Sequence, residues 1–327
     1  MSAKRSVRGS LANYLLALIA IFSLNFVLPR MMPGDPLQAI YGQEALVAMT
    51  PQMEAALIQK FSLDQPWSSQ LYAYISGLFE GDLGYSYYFR DQVSAVILGA
   101  LPWTLILTGS ALILATSLGI VLGMESGYRR GGSLDRGLIA GLIFISGFPD
   151  FFVGIVLLLI FGVSLGIAPL YGSITPYSGE TGLAYLLDIL HHLALPLASL
   201  VLVQLGAVYL LTRNTMVVVL KERFVLTARA KGCTDRAVRY RHAGRNSLLP
   251  VITATGIRLP QLITGALFIE IVFSYPGVGL LLSTALDARD YPLIQGILLL
   301  VTVAVLTANC GVDLLYRRLD PRVRHAR

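Results

Sequence analysis

Residues 92–124 read QVSAVILGALPWTLILTGSALILATSLGIVLGM, 33 positions without a charged side chain. A helix rises 1.5 Å per residue and needs about 20 apolar residues to cross a bilayer core, so this run is a membrane span with length to spare. Working outward, charge-free runs recur at 11–29, 151–179, 189–212 and 291–312. A further stretch, 250–273, is interrupted by Arg258 and Glu270, and 137–163 absorbs Asp150. The expected architecture is all-α and polytopic, with six membrane helices at about 11–30, 99–124, 137–163, 189–213, 250–274 and 291–313. Composition agrees: of 327 residues 55% are hydrophobic and 13% charged, where a soluble domain carries about 25% charged residues. Two cysteines exclude a disulfide scaffold. Lys4, Arg5 and Arg8 ahead of the first run imitate a signal peptide. That run lacks a small-x-small site and is long enough to span, so it is expected to stay as an uncleaved helix.

Orientation follows from the basic residues. Of 25 Lys and Arg, 20 fall in the N-terminus, the 125–136 loop, the 213–249 loop and the C-terminal tail. Basic loops stay inside, so both termini are expected to be cytoplasmic. The net charge of +6 is accounted for by this asymmetry and by anionic lipid; no nucleic acid is called for. The chain then divides into a tail and first span (1–30), an extracytoplasmic cap (31–98) and a five-span core (99–327) carrying the 213–249 loop. In the cap, PGDP (33–36) is a turn, and Thr50-Pro51 starts a short helix with Met53, Ala56, Leu57 and Phe61 on one face. A second cap helix, Pro66–Phe79, puts Trp67, Leu71, Tyr74, Ile75 and Leu78 on its apolar side. Gly119, Gly123 and Gly127, and likewise Gly137 and Gly141, recur every four residues, which permits close backbone approach between spans.

The 213–249 loop holds nine basic residues against Glu222 and Asp235, and from Phe224 reads FVLTARAKGCTDRAVRYRHAGRNSLLP. Helix formers run to Lys231, Gly232 stops them, Thr234 and Asp235 can cap a second helix through Arg245, and Pro250 opens the next span. The result is a helix–glycine–helix elbow.

This order of residues resembles the cytoplasmic EAA loop of binding-protein-dependent ABC importer permeases of the oligopeptide, dipeptide and nickel group. TARAKG is Thr227–Gly232, RHA is Arg241–Ala243, R-N is Arg245-Asn246 and LLP is Leu248–Pro250. The family's nominal Glu, six before the glycine, is Leu226 here. PGDP, GDLGYS (81–86), YRRGGSLDR (128–136), HLALP (192–196), FSYPGVG (273–279) and DLLYRRLDPRVR (313–324) look like the same group in the same order.

The resemblance implies a type I ABC importer permease in a bacterial cytoplasmic (inner) membrane. It also implies a second homologous permease, two ATP-binding subunits and an extracytoplasmic solute-binding protein as partners. The chain has no G-x-x-x-x-G-K-[ST] phosphate loop, and Gly-Lys does not occur in it. It is therefore expected to be no enzyme and to bind no cofactor, with ATP and Mg on the partner ATPases. The elbow becomes the coupling element: Thr227, Ala228, Arg229, Ala230, Lys231, Gly232, Asp235 and Arg239 are its candidate contacts. The cargo implied is a short peptide, nickel or a metal chelate.

Charges at membrane depth mark protein interior or aqueous paths, which makes Asp150, Arg258 and Glu270 candidates for the translocation path. Asp150 and Arg258 could instead pair as a structural ion pair, and Glu270 could reach the headgroups. His191 and His192 are expected to be interfacial or satisfied locally and not metal ligands. The alternative function is an ion- or proton-coupled secondary transporter. Such a protein commonly shows an internal repeat, and none is evident here.

Overall fold

The computed structural model describes residues 22–27, 31, 50–60, 64–258 and 266–319. Among these the chain is helical, with one isolated antiparallel bridge, Tyr85 to Gln92. Most of the expected first span, the PGDP turn, the 259–265 part of the fifth span and the last tail residues lie outside the described residues. The fold divides into two compact units, residues 1–101 with 281–304, and residues 102–280 with 305–327.

In the first unit, α1 (Pro51–Lys60) and α2 (Trp67–Glu80) are helices where two were expected between the first two spans. Each starts at a proline, or directly after one, where a missing N–H costs nothing. The Met53 N–H donates to the Thr50 carbonyl at 2.9 Å. Trp67, Leu71, Tyr74, Ile75 and Leu78, expected on one face, line one groove of about 830 Å³ together with Phe26. Gly81 ends α2 at φ +78°. The GDLGYS segment that follows is tied to Asp290, which is fully buried. The Ser86 hydroxyl and the Tyr88 N–H (3.0 Å) donate to Asp290 Oδ2. Asp290 Oδ1 accepts the Leu293 N–H at 3.2 Å, in the first turn of α11 (Tyr291–Leu319). One carboxylate thus caps α11 and holds the segment. Asp290→Ala would strand these donors and is expected to destabilise the protein by about 2–3 kcal/mol. A lowered thermal midpoint of the detergent-purified protein checks this, with Asp290→Asn partly restored.

The second unit is built on two long apolar helices. Helix α3 (Val93–Tyr128) begins in the first unit and supplies the second with its greater part, and α6 is Leu183–Val219. Both are long and apolar enough to cross a membrane, and they contain the expected spans 99–124 and 189–213. The glycine stripe on α3 makes the predicted close approach: Gly119 lies against Val208, Gly123 against Thr212 and Tyr209, and Gly127 against Met216, all on α6. Gly137 and Gly141 do not repeat it, since nothing lies within 4 Å of where their Cβ atoms would be.

The expected continuous span 137–163 is corrected. It consists of α4 (Ser133–Ser146) and α5 (Asp150–Leu157), continued by a wide-turned helix over Leu158–Ser164. The two arms are bent by 101°. The cause is the sequence Gly147-Phe148-Pro149: proline drives its predecessor out of helical geometry and cannot donate a backbone bond. Asp150 becomes the first residue of α5, where its Oδ1 accepts the Phe151 N–H at 2.8 Å.

Helix α7 (Arg223–Ala230) is the elbow's first arm, and α8 (Arg245–Ile257) and α9 (Leu267–Val272) follow it. Helix α10 (Val278–Asp287) completes the series. Within the second unit the core contains Leu107, Ala111, Leu193, Leu200, Ile269 and Phe273, all buried.

Candidate functional site

The elbow's first arm is short and turned by one residue. Gly232 adopts φ +75°, a region closed to most side chains. Its N–H donates to the Arg229 carbonyl (2.9 Å), and the Cys233 N–H to that of Ala228 (3.2 Å). The Val238 N–H donates to the Thr234 carbonyl at 2.9 Å, starting the second arm. That arm differs from expectation. Its helix has wide turns over Ala237–Gly244 and runs on without a break into α8. Pro250 lies inside α8 and does not open it. A proline there removes one backbone bond, which helices in a membrane tolerate when neighbouring groups compensate.

One face of the elbow is anchored. Val225 and Ala228 of α7 pack with Val238 and Ala243 of the second arm and with Met216 of α6, all buried. The opposite face presents Phe224, Leu226, Thr227, Arg229, Ala230 and Lys231 to the outside. Of the candidate coupling residues, Thr227, Arg229, Ala230, Lys231 and Gly232 are exposed, whereas Ala228 is part of the anchor.

Asp235 and Arg239 are engaged within the chain. Asp235 accepts a hydrogen bond from the Tyr128 hydroxyl at 2.6 Å. Arg239 Nη1 lies 2.7 Å from both carboxylate oxygens of Glu125, and its guanidinium sits 4.3 Å from the Tyr128 ring centroid. The Tyr240 hydroxyl donates to the same carboxylate. That bond to Glu125 raises the Tyr240 phenol above its ordinary value, so it stays protonated and donating at neutral pH. Glu125 and Tyr128 belong to the basic-loop end of α3, so the 125–136 and 213–249 loops meet through these bonds, as two loops on one side of a membrane can.

Next to this lies a second polar cluster. Asp135 is 2% exposed and receives Arg213 in a fork, Nε to Oδ1 at 2.9 Å and Nη2 to Oδ2 at 2.8 Å. The Gly131 N–H (2.8 Å) and the Ser126 hydroxyl also donate to it. Neither carboxylate cluster was identified from sequence. The partners stand 78 and 114 residues apart, beyond the reach of any local period.

The intramembrane charges separate. Asp150 sits at the bend, half-buried, beside a run of rings: Phe144 to Phe148 at 5.1 Å and Phe148 to Phe152 at 5.3 Å. Arg258 ends α8 and is also half-buried. No ion pair joins Asp150 to Arg258 among the described residues. Glu270, expected at the path or the headgroups, is fully buried. It accepts the Thr104 hydroxyl (2.8 Å) and the N–H groups of Gly279 (2.6 Å) and Leu280 (3.3 Å). The carboxylate caps α10 from outside the helix. His191 Nε2 lies 3.1 Å from the Ile167 carbonyl oxygen and His192 Nδ1 2.9 Å from that of Asp188, so both rings are engaged locally.

A chain helical in its described residues, with spans of this length and a basic elbow whose outer face is exposed, has the form of a membrane-embedded transport subunit. Residues 115–325 match the family of binding-protein-dependent transport system inner membrane components, and the chain belongs to that family. It is 36% identical over 320 residues to the di/tripeptide transport system permease protein DppB of Pseudomonas aeruginosa, covering 93% of this chain and 94% of that one. To the dipeptide transport system permease protein DppB of Escherichia coli K12 it is 34% identical over 326 residues, 94% and 95% of the two chains. A putative peptide permease protein of Brucella suis is 36% identical over 309 residues, with 94% and 95% covered.

Proposed function

We propose that this chain forms half of the translocation path of an ATP-driven importer of short peptides, together with a second permease, and takes its power stroke from a separate ATPase subunit seated on α7. The observation that carries this reading is the two-sidedness of the elbow. Val225 and Ala228 fix α7 to the permease, while Phe224, Leu226, Arg229 and Lys231 are left outward. A mixed apolar and cationic face on a short, anchored helix suits a protein cleft better than water. The cargo class rests on the names of the relatives, which are peptide permeases. Asp150, Arg258 and the bend at 147–149 are proposed to border the path, because irregular backbone at membrane depth is tolerated only against protein or water. Glu270 is left to structure.

The test is uptake of a labelled dipeptide by proteoliposomes holding this chain, the second permease, the ATPases and the solute-binding protein. Gly232→Pro cannot reach φ +75° and loses the bond to Arg229, a strain of about 1–3 kcal/mol that displaces α7. The complex is expected to assemble and lose about tenfold or more of its uptake. Uptake at the unmodified rate would refute the elbow's role. Vectorial uptake by this chain alone, without ATPases, would sink the whole reading in favour of an ion-coupled carrier.

A further inference from the structure

Two cavities of opposite character adjoin within the first unit, and Tyr74 of α2 stands in the wall of both. The first is the groove of about 830 Å³ between α2 and residues 22–27, walled by Phe26, Trp67, Leu71, Ile75 and Leu78. No charged side chain lines it among the described residues. The second, about 490 Å³, is polar. It is bordered by Tyr74, Asp82, Tyr85, Tyr87 and Pro292, and by Gln295 of α11. Asp82 is its one charge among the described residues, and no Lys or Arg lines it. Asp82 Oδ1 accepts the Gly84 N–H at 2.8 Å, which holds the carboxylate in place. Gln295 is 4% exposed, yet its Nε2 has no hydrogen-bond acceptor among the described residues. A buried amide donor left in that state is costly and calls for an acceptor from outside the chain.

The sequence places this pair of cavities at the edge of the bilayer. Residues 22–27 lie toward the end of the charge-free run 11–29, and Pro292 and Gln295 open the run 291–312. Helix α2 carries no charge before Glu80 and exposes Trp67, Tyr72, Ile75 and Phe79. Tryptophan and tyrosine with apolar neighbours are the composition of a membrane–water interface. An apolar trough that opens beside a small polar chamber has the two-part form of an amphiphile. We propose that the first unit binds one zwitterionic phospholipid with an ammonium headgroup, its acyl chain in the groove and its head in the polar chamber. Asp82 and the rings of Tyr74, Tyr85 and Tyr87 suit the ammonium, by charge and by attraction of a cation to ring faces. Gln295 Nε2 donates to an ester or phosphate oxygen of the same molecule. A headgroup of net negative charge meets Asp82 with no basic residue to offset the repulsion, so the chamber selects against anionic lipid.

The experiment reconstitutes the full chain, in its assembled complex, into vesicles of phosphatidylethanolamine and phosphatidylglycerol in equal parts. Each lipid is supplied in turn as a photoactivatable analogue with the same acyl chains, and mass spectrometry locates the label. Phosphatidylethanolamine is expected to label α2 about fivefold more than phosphatidylglycerol, the scale of an exposed ion pair or ring contact. Asp82→Asn keeps an acceptor for the Gly84 N–H and removes the charge, and should bring that ratio to about one. Ile75→Trp fills the groove and should lower labelling by both lipids about fivefold. Gln295→Leu should lower both alike, since both carry the ester and phosphate oxygens. Equal labelling of α2 by the two lipids in the unmodified complex overturns the proposal. So does a ratio unchanged in Asp82→Asn, or undiminished labelling in Ile75→Trp. If Gln295→Leu does not assemble, the other two variants decide, because both alter exposed positions. Label found on α2 in this chain alone but lost in the complex would assign the groove to a partner protein and also overturn it.

Discussion

Gly123→Leu is expected to prevent α3 and α6 from packing and to remove the protein from the detergent-stable, monodisperse fraction. A Cβ at Gly123 would stand 2.6 Å from the Thr212 Cβ, 2.9 Å from the Tyr209 carbonyl oxygen and 3.0 Å from the Arg213 nitrogen. Two of those three atoms are backbone, so no rotamer change relieves the clash and the helices must separate. Overpacking a core costs about 1–3 kcal/mol and occasionally more. Here the upper end is expected, because the same helix end carries Glu125 and Tyr128 and so holds the elbow. Gly123→Ala should already lower the thermal midpoint. Gly141→Ala is the control: no atom lies within 4 Å of its added Cβ, and the gain in helix propensity, about 0.5–1 kcal/mol, should leave the midpoint level or slightly raised. Equal midpoints for Gly123→Leu and the unmodified protein would show that α3 does not meet α6 through this stripe.

Glu270→Leu carries the second large effect. Helix α10 opens on Val278 directly after a glycine, so it has no side chain of its own for a cap. The first-turn donors are served from elsewhere: Val278 N–H by the Thr104 hydroxyl at 2.8 Å, and Gly279 and Leu280 N–H by Glu270. Thr104 in turn donates to Glu270, so the carboxylate anchors all of it. A negative group at the start of a helix is also favoured by the helix dipole. Space there is fully used, since a Cβ at Gly277 would lie 2.3 Å from Glu270 Oε2. Leucine would strand several buried donors, at a cost of about 3–5 kcal/mol. Glutamine, keeping one acceptor, should lose roughly half as much. Thermal unfolding in detergent reads both. A Glu270→Leu protein as stable as the parent, but altered in peptide selectivity, would return Glu270 to the path.

The residues that were legible in the sequence acted locally. Thr50-Pro51 and Pro66 marked two helix starts because proline's constraint belongs to one residue. Gly232 marked a turn for the same reason, and the four-residue glycine spacing announced a helix seam. The bend at Pro149 had an equally local signal in Gly147-Phe148-Pro149, yet it was hidden inside an apolar stretch, interrupted by Asp150 alone, whose length suggested a single span. Hydropathy reports solubility in lipid and is blind to direction. Asp235 and Arg239 illustrate a different loss. Along a basic loop every charge reads as solvated, and only the fold reveals that Tyr128 and Glu125, more than a hundred positions upstream, claim these two. The wide turns of 237–244 added to this. In them residues five apart share a face, so Val238 aligns with Ala243 and Arg239 with Gly244, a register that a period of 3.6 misplaces.

The corner at 147–149 is closed by its own backbone. The Gly147 N–H donates to the Ile143 carbonyl at 3.2 Å and the Phe148 N–H to that of Ile145 at 3.1 Å, while the Pro149 carbonyl receives the Phe152 and Val153 N–H groups at 3.1 and 3.2 Å. A bend that serves these groups locally lets its two arms keep different directions without either having to unwind.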